Sequence, residues 1–234
     1  ISTVSGTPLN IITGAPKFIT DHRTNQPAFS AAAVDAVRGS DAVMQAAATG
    51  TDRCFTEAAV FEVTSCTSTG YWFACNLSTG TDGLYFGQVT PNIRVSLDGN
   101  VGGFLSGILD KCVAGRNVAV IRSPDNKTLY LSVNGGAETN VTVAGHGLVS
   151  PNRTGIFESV GLTPGGRFNG CLYHNLFYGV DKGLAGAAGI GAYLLIKWRP
   201  APLGVFIGDS LTAATLVNNG GLIGLLMAVA RADG

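Results

Sequence analysis

Short segments in which hydrophobic and polar residues alternate dominate the chain from residue 53 onward. The stretches CFTEAAVFEVTS, GYWFACNLS, DGLYFGQV and NIRVSLDGN follow one another, separated by turn-forming Gly, Asp, Asn and Ser residues. Alternation puts successive side chains on opposite faces of a strand, and turn signals every 8–12 residues or so are typical of antiparallel sandwiches. The pattern predicts an all-β protein, an antiparallel jelly-roll β-sandwich.

The clearest hairpin lies within residues 116–135. RNVAVIRS and TLYLSVNGG alternate, and the polar stretch PDNK joins them. Pro124 and Asp125 favour a turn there, because proline presets its own φ and aspartate hydrogen-bonds backbone N–H groups that follow it. The stretches ETNVTVAG, TGIFESVG and FNGCLYHNLFYG complete the predicted set of strands.

After Gly179 the period changes. DKGLAGAAGIGAYLLIKW predicts a short C-terminal helix with one apolar face, and we expect Trp198 at its end to fill the core. RPAP then stops the helix and stiffens the connection. Beyond it, GVFIGDSLTAATL predicts a buried strand, a turn and the start of a second helix.

Four regions follow from this pattern. Residues 1–50 supply N-terminal strands and loops that lead into the sandwich, and residues 51–198 form the sandwich with its helix. Residues 199–203 are a Pro-rich linker. Residues 204–234 begin a further α/β unit that is incomplete in this sequence.

Charge excludes two classes of partner. Fifteen basic and fifteen acidic residues give a net charge of zero, whereas nucleic acids and anionic membranes demand a basic face. The apolar zone at residues 222–230 is too short to span a bilayer. The sequence begins at Ile1 without a signal peptide, which we interpret as an internal or processed start. We expect an extracellular, cell-surface or virion location.

Five cysteines leave two interpretations open. Buried free thiols are one, and one or two disulfides are the other. Because the number is odd, at least one thiol has no partner within the chain. The five are Cys54, Cys66, Cys75, Cys112 and Cys171.

Residues from about 50 to 198 resemble the concanavalin A-like (laminin-G-like) jelly-roll domains. The resemblance rests on RNVAVIRSPDNKTLYLSVNGG, GRFNGCLYHNLFYG and LAGAAGIGAYLLIKW. It implies a lectin-like sandwich that binds a polysaccharide or another glycan. It also implies a structural Ca²⁺ on loop carboxylates as the one metal to consider, at Asp82, Asp98, Asp110 or Asp125. The alternative, which we favour, is that these aspartates only form turns, so that the chain needs no metal and no cofactor.

Residues 204–234 resemble the first block of SGNH (GDSL-type) hydrolases, through FIGDSLT and NNGGLIGLLMAVA. The resemblance implies Ser210 as the nucleophile, with its own N–H in the oxyanion hole and Asp209 as a structural neighbour. The family also needs an Asp-x-x-His pair, and none of His22, His146 and His174 has an aspartate three residues before it. A serine without a base is a poor nucleophile, so we predict that this chain alone is inactive.

Aromatic side chains are the candidates for a sugar platform, because sugar rings stack on exposed aromatic faces. The candidates are Tyr71, Trp72, Tyr85 and Tyr173. Strand alternation predicts that Trp72 and Phe73 point to opposite faces. The competing interpretation of each ring is core packing.

Two functions are consistent with the sequence. The first is a glycan-binding module that tethers an SGNH-type carbohydrate esterase, since tethering raises the effective concentration of substrate. The second is a structural or adhesion subunit of a virion or cell-surface assembly, such as a phage tail appendage, with no catalysis in this chain. The second predicts contacts with other subunits, including copies of itself.

Overall fold

The structure, a computed structural model, describes residues 10–21, 26–32, 36–39, 54–63, 70–76, 83–89, 92–97, 101–105, 116–125, 127–142, 153–157 and 168–198. Within these residues the chain forms fourteen strands and one helix. They are β1 (Asn10–Thr13), β2 (Lys17–Thr20), β3 (Pro27–Ala31), β4 (Ala36–Gly39), β5 (Phe55–Val63), β6 (Gly70–Asn76), β7 (Gly83–Val89), β8 (Asn92–Leu97), β9 (Val101–Leu105), β10 (Arg116–Ser123), β11 (Thr128–Val133), β12 (Thr139–Thr142), β13 (Arg153–Ile156), β14 (Gly170–Tyr178) and α1 (Gly183–Trp198).

The strands form two antiparallel sheets of seven. Sheet A has the order β1-β4-β13-β6-β7-β8-β9, and sheet B has the order β12-β11-β10-β5-β14-β3-β2. The all-β sandwich expected from the alternation is therefore present. Strands from residues 10–39 enter both sheets, since β1 and β4 belong to sheet A while β2 and β3 belong to sheet B.

The predicted hairpin is confirmed. β10 pairs with β11 in a register that sets Ala119 opposite Val133. In the connection, the Asp125 carboxylate accepts hydrogen bonds from the N–H groups of Lys127 and Thr128 at 2.8 and 2.6 Å. Asp125 thus acts as the turn former that its position in the sequence indicates.

Strand β5 of sheet B is buried on both of its faces. Its Phe55 and Phe61 point into the core between the sheets, whereas its Ala58 and Val60 point to the opposite side. A strand buried on both faces reads as a nearly continuous apolar run, which FTEAAVFEV does apart from Thr56 and its two glutamates.

Aromatic and branched side chains from both sheets fill the space between them. The largest fully buried side chains are Trp72, Phe55, Phe61, Phe86, Phe157, Phe168, Ile93 and Ile121. Rings meet at centroid distances typical of aromatic pairs; Phe61 and Trp72, for example, stack at 4.4 Å.

A β-bulge overturns one expectation from alternation. Trp72 and Phe73 both lie in the core between the sheets, so the prediction that they face opposite sides is wrong. In the pairing of β6 with β7, Tyr71 lies opposite Gly87 and Phe73 opposite Phe86, which leaves one extra residue in β6. An extra residue twists the strand locally and re-aims the side chains beside it.

Helix α1 covers the outer face of sheet B, as the apolar period near the C-terminus predicts. Its Ala187, Leu194 and Trp198 pack against Val118 and Val120 of β10, with Ala58 and Val60 beside them. Trp198 is buried and plugs this second core as expected.

Candidate functional site

The most exposed large hydrophobic side chain among the described residues is Phe18 on β2, at 77% of its full exposure. Its ring lies nearly parallel to that of Phe29 on the neighbouring strand β3, with centroids 4.7 Å apart and planes 17° apart. The two residues are direct cross-strand partners. One face of the Phe18 ring therefore packs against Phe29, and much of the rest of the ring is exposed to solvent.

The support for Phe18 continues into the core as a row of rings, which we call the aromatic row: Phe18, Phe29, Phe157, Phe168 and Trp72. Successive centroids after the first pair are 5.0, 5.6 and 6.4 Å apart. Phe157 adopts a positive φ of 60°, which is costly for a bulky residue. Its N–H donates to the carbonyl oxygen of Trp72 at 3.4 Å, a bond that helps to hold this backbone in place.

Polar groups surround the exposed ring. Strand β2 is the last strand of sheet B in the described part of the chain, and every second residue of an edge strand directs its N–H and C=O away from the sheet. Thr20 lies on the same side of β2 as Phe18, because side chains two apart share a face. Thr20 is exposed, and Lys17, which is exposed as well, lies on the opposite side of β2. An apolar plate with hydroxyl and peptide groups beside it suits a ligand that is both apolar and rich in hydroxyls.

The predicted platform residues of β6 are buried. Tyr71 is 4% exposed and Trp72 is fully buried, so neither ring offers a face to a ligand. Instead, Trp72 Nε1 donates to Glu57 Oε1 at 3.0 Å. The competing interpretation, that these two rings pack in the core, is therefore the correct one for Tyr71 and Trp72.

Glu57 is the most unusual ionisable group in the described core. Its side chain is fully buried between the sheets, and among the described residues its Oε2 has no hydrogen-bond partner. Burial disfavours the charged form and raises the pKa of Glu57 to about 8, although the bond from Trp72 acts in the opposite direction. Glu57 is therefore mostly a neutral carboxylic acid at pH 7.

Tyr173 on β14 is half-buried and already occupied. The Arg116 guanidinium lies over its ring, 3.9 Å from the centroid. Its hydroxyl donates to Glu62 Oε2 at 2.9 Å, and burial is the largest cause of a raised Tyr173 pKa. Arg116 also binds Asp21 Oδ1 at 2.8 Å and the carbonyl oxygen of Trp198 at 2.9 Å. The stacking face predicted for a sugar is thus taken by an arginine of the protein itself.

A second arginine on β10 lies near the start of α1. Arg122 forms two hydrogen bonds to the Glu138 carboxylate, at 2.8 and 2.7 Å, and one to Asp181 at 3.3 Å. Asp181 accepts in turn from the N–H of Gly183 at 3.0 Å. The guanidinium lies 4.0 Å from the centroid of the Tyr130 ring. These charged groups form their hydrogen bonds and ion pairs with one another, so we assign them a structural role.

Several predicted site residues lie outside the described residues. Ser210 and Asp209 are among them, as are the aspartates at 82, 98 and 110, and of Tyr85 only the strand is described. Among the described residues, no group of three or more His, Cys, Asp and Glu side chains is placed to hold a metal ion. Cys54 and Cys171 are free thiols, as the first of the two cysteine interpretations has it, but they are half-buried rather than buried.

Sequence reasoning missed Phe18. The stretch KFIT is too short to show a clear alternation of apolar and polar residues, and nothing in it indicates that the phenylalanine is exposed. The one available signal was an apolar ring between polar neighbours just after the turn-forming GAP. Exposure itself depends on β2 being an edge strand, which only the sheet order decides.

Solved structures with this fold are numerous. Domain 4 of AbnA, a GH43 extracellular arabinanase from Geobacillus stearothermophilus in complex with arabinotriose, matches with a TM-score of 0.60 and 9% identity, over 81% of this chain and 91% of that one. The CBM40 of Ruminococcus gnavus IT-sialidase, bound to α2,3-sialyllactose, matches with a TM-score of 0.50 and 14% identity, over 64% and 85% of the two chains.

The binding domain of botulinum neurotoxin serotype G matches with a TM-score of 0.59 and 9% identity, over 82% of this chain. The chain spans about half the length of the botulinum neurotoxin domains that it matches, 47% in this case. Identities this low establish the fold alone, an antiparallel two-sheet β-sandwich. No protein-family model and no curated protein sequence matches the chain. None of the described helices has the length and apolarity to cross a membrane.

Proposed function

We propose that this β-sandwich is a glycan-binding module whose binding platform is the Phe18 ring. The observation that carries the proposal is the pairing of high exposure with fixed orientation: Phe18 is 77% exposed yet stacked at 4.7 Å on Phe29. Leaving an aromatic ring in water forgoes the free energy of burial. Stacking on Phe29 fixes the orientation of the Phe18 ring, so that its free face can pack against a flat apolar partner.

A pyranose or furanose ring is such a partner. Its C–H face packs on an aromatic face, and its hydroxyls seek hydrogen bonds at the perimeter. Thr20 and the outward peptide groups of β2 provide donors and acceptors there. The rigidity that Phe29 gives the platform reduces the entropy lost on binding. The glycan ligands named for two structural neighbours, arabinotriose and α2,3-sialyllactose, support the same class of ligand.

Isothermal titration with arabinotriose and α2,3-sialyllactose, followed by a polysaccharide array, tests the proposal. We expect a glycan to bind, Phe18→Ala to weaken its binding about tenfold, equivalent to roughly 1.4 kcal/mol, and Phe18→Trp to retain it. Ile19→Ala is the matched control, because Ile19 is an exposed neighbour on the opposite side of β2. Binding that survives Phe18→Ala, or an array without any bound glycan, would refute the proposal.

The second part of the proposal concerns residues 204–234. The GDSLT motif supports the interpretation that the module tethers an SGNH-type carbohydrate esterase, acting outside the cell on the glycan that the sandwich holds. Because no histidine of the sequence has an aspartate three residues before it, we expect that an organophosphonate probe does not label Ser210 in this chain. Stoichiometric labelling of Ser210 would show that a base is present and that the chain is itself a hydrolase.

One observation favours an assembly subunit as the alternative. The outer side of α1 exposes Leu184, Tyr193 and Ile196 at 62%, 54% and 61%, and apolar patches mark interaction surfaces. A virion or cell-surface subunit would use this face for contacts with other subunits. Sedimentation velocity distinguishes the two proposed functions. An assembly subunit forms oligomers at micromolar concentration, whereas an isolated glycan-binding module does not.

A further inference from the structure

Glu57 and Asn175 face the core between the sheets from neighbouring strands. Glu57 lies between Phe55 and Ala59 in β5, both of which pack in this core, and side chains two apart share a face. Asn175 shares the face of Phe177 on β14, which packs against the same core. The register sets Phe177 opposite Glu57 and Asn175 opposite Ala59. Glu57 and Asn175 are therefore diagonal neighbours, close enough for long side chains to reach one another.

A β-bulge in β14 turns Asn175 toward the core. Leu172 and Phe177 both pack there although they lie five positions apart, an odd spacing that strict alternation does not allow. The pairing with β5 takes up one extra residue between Leu172 and His174. Without it, alternation from Leu172 would place Asn175 on the opposite face of the sheet.

Each of the two side chains has a polar atom without a hydrogen-bond partner among the described residues. The two atoms are Glu57 Oε2 and Asn175 Oδ1, and both are buried. Glu57 Oε1 already accepts a hydrogen bond from Trp72 Nε1 at 3.0 Å, so Oε2 is the oxygen that remains. A buried acceptor without a donor is costly, and two such acceptors on one face favour a donor that they share.

The surroundings of Glu57 select the smallest possible ligand. Its side chain is fully buried, and the rings of Phe55 and Phe177, with centroids 6.2 Å apart, lie beside it. A water molecule fits such a place and can donate one O–H to each acceptor. When Glu57 is protonated, its O–H donates to the water, which still donates to Asn175 Oδ1. A direct bond from the acid to the amide oxygen would be lost whenever Glu57 ionises.

The uncovered edge of β14 gives water a way in. Among the described residues, β3 pairs with β14 only at residues 170–172, and residues 174–178 pair with β5 alone. Asn175 is half-buried although it lies on the face between the sheets, which agrees with this open edge. Its side chain therefore connects the buried carboxyl group with the solvent.

We infer that one ordered water molecule binds between the sheets and bridges Glu57 Oε2 to Asn175 Oδ1, entering from the open edge of β14. The water completes a row of hydrogen bonds that starts at Trp72 Nε1. Buried waters of this kind are part of a fold and are costly to remove. The inference does not depend on whether the sandwich binds a glycan.

Deuteron magnetic relaxation dispersion on the full 234-residue chain counts the water molecules that exchange more slowly than the protein tumbles. We expect Asn175→Leu, which keeps a side chain of similar size but removes the acceptor, to hold one such water fewer than the wild type. Asn175→Thr keeps an acceptor and should retain the water. Asn140→Leu is the matched control, because it makes the same change at an exposed strand position.

Equal numbers of slow waters in the wild type and in Asn175→Leu would overturn the inference, as would the loss of one water in Asn140→Leu. An atomic-resolution crystal structure of the wild type is the second measurement, and it serves even if Asn175→Leu does not fold. Density for a water within hydrogen-bond distance of both oxygens supports the inference. A direct contact between the two side chains, or a bond from either oxygen to another group of the protein, contradicts it.

Discussion

Arg116 and Arg122 lie six residues apart on the same side of β10 and bind opposite ends of α1. Arg116 donates to the last carbonyl of the helix, at Trp198, while Arg122 binds Asp181 just before the first turn. A cation at the C-terminus and an anion at the N-terminus both favour the helix dipole. One strand thus fixes the position of the helix that covers it.

The first prediction concerns Arg116. Its partner Asp21 is 3% exposed, and removing one member of a buried ion pair is destabilising by about 3–5 kcal/mol. We expect Arg116→Met to lower the free energy of unfolding by an amount in this range, measured by urea denaturation followed through tryptophan fluorescence. Arg116→Met combined with Asp21→Asn removes both charges and should be milder. A single variant as stable as the wild type would contradict this role.

The second prediction concerns Glu57. Its pKa is about 8 in the folded chain and near 4.5 when unfolded, so the folded state holds the proton more tightly. Its contribution to stability is complete below pH 4.5 and is lost as the pH rises through 8, at about 1.4 kcal/mol per pH unit in between. Denaturation midpoints at pH 5, 7 and 9 measure this slope.

Glu57→Gln separates this effect from other titrations. The amide oxygen can still accept the hydrogen bond from Trp72, and the side chain has no charge to bury. We expect the variant to have a shallower pH dependence and to be more stable than the wild type at pH 9. If the two proteins lose stability in parallel between pH 5 and 9, Glu57 is not the group responsible.

The third prediction concerns Gly170, where β14 passes β5. A Cβ atom at this position would lie 2.0 Å from the carbonyl oxygen of Glu62 and 3.0 Å from the Cα atom of Val63. Both are backbone atoms of the paired strand, so neither can rotate away. We expect Gly170→Ala to cost roughly 3 kcal/mol through overpacking, visible as a lower melting temperature. An unchanged melting temperature would mean that the two strands separate without penalty at this point.

The fourth prediction concerns Phe29, which supports the glycan platform from below. Phe29→Leu preserves an apolar side chain but removes the parallel ring that orients Phe18. If a glycan binds as proposed, this variant should weaken its binding severalfold even though Phe29 is only the support. Titration with the same glycan measures the effect. Equal affinity in variant and wild type would show that Phe18 needs no fixed orientation.

Local pattern was sufficient for much of the fold. The alternation at residues 116–133 specified a hairpin, because the turn residues between two alternating segments fix which strands pair and in what register. The apolar period after Gly179 specified α1, and the tryptophan at its end was recognisable as a core residue. The alternation and the regular turn spacing indicated an antiparallel sandwich.

The site depended on distant pairings that no local pattern contains. A bulge opposite Gly87 turned Trp72 into the core, and Arg116, 57 residues earlier in the sequence, covered Tyr173. Phe18 became exposed because β2 ended as the edge of sheet B, and Glu57 became neutral because the opposite sheet enclosed it. The sequence by itself determined which segments are strands, through the period of their side chains. Only the tertiary structure decided which side chains meet solvent, because exposure is set by strand order and by the layers packed on each face.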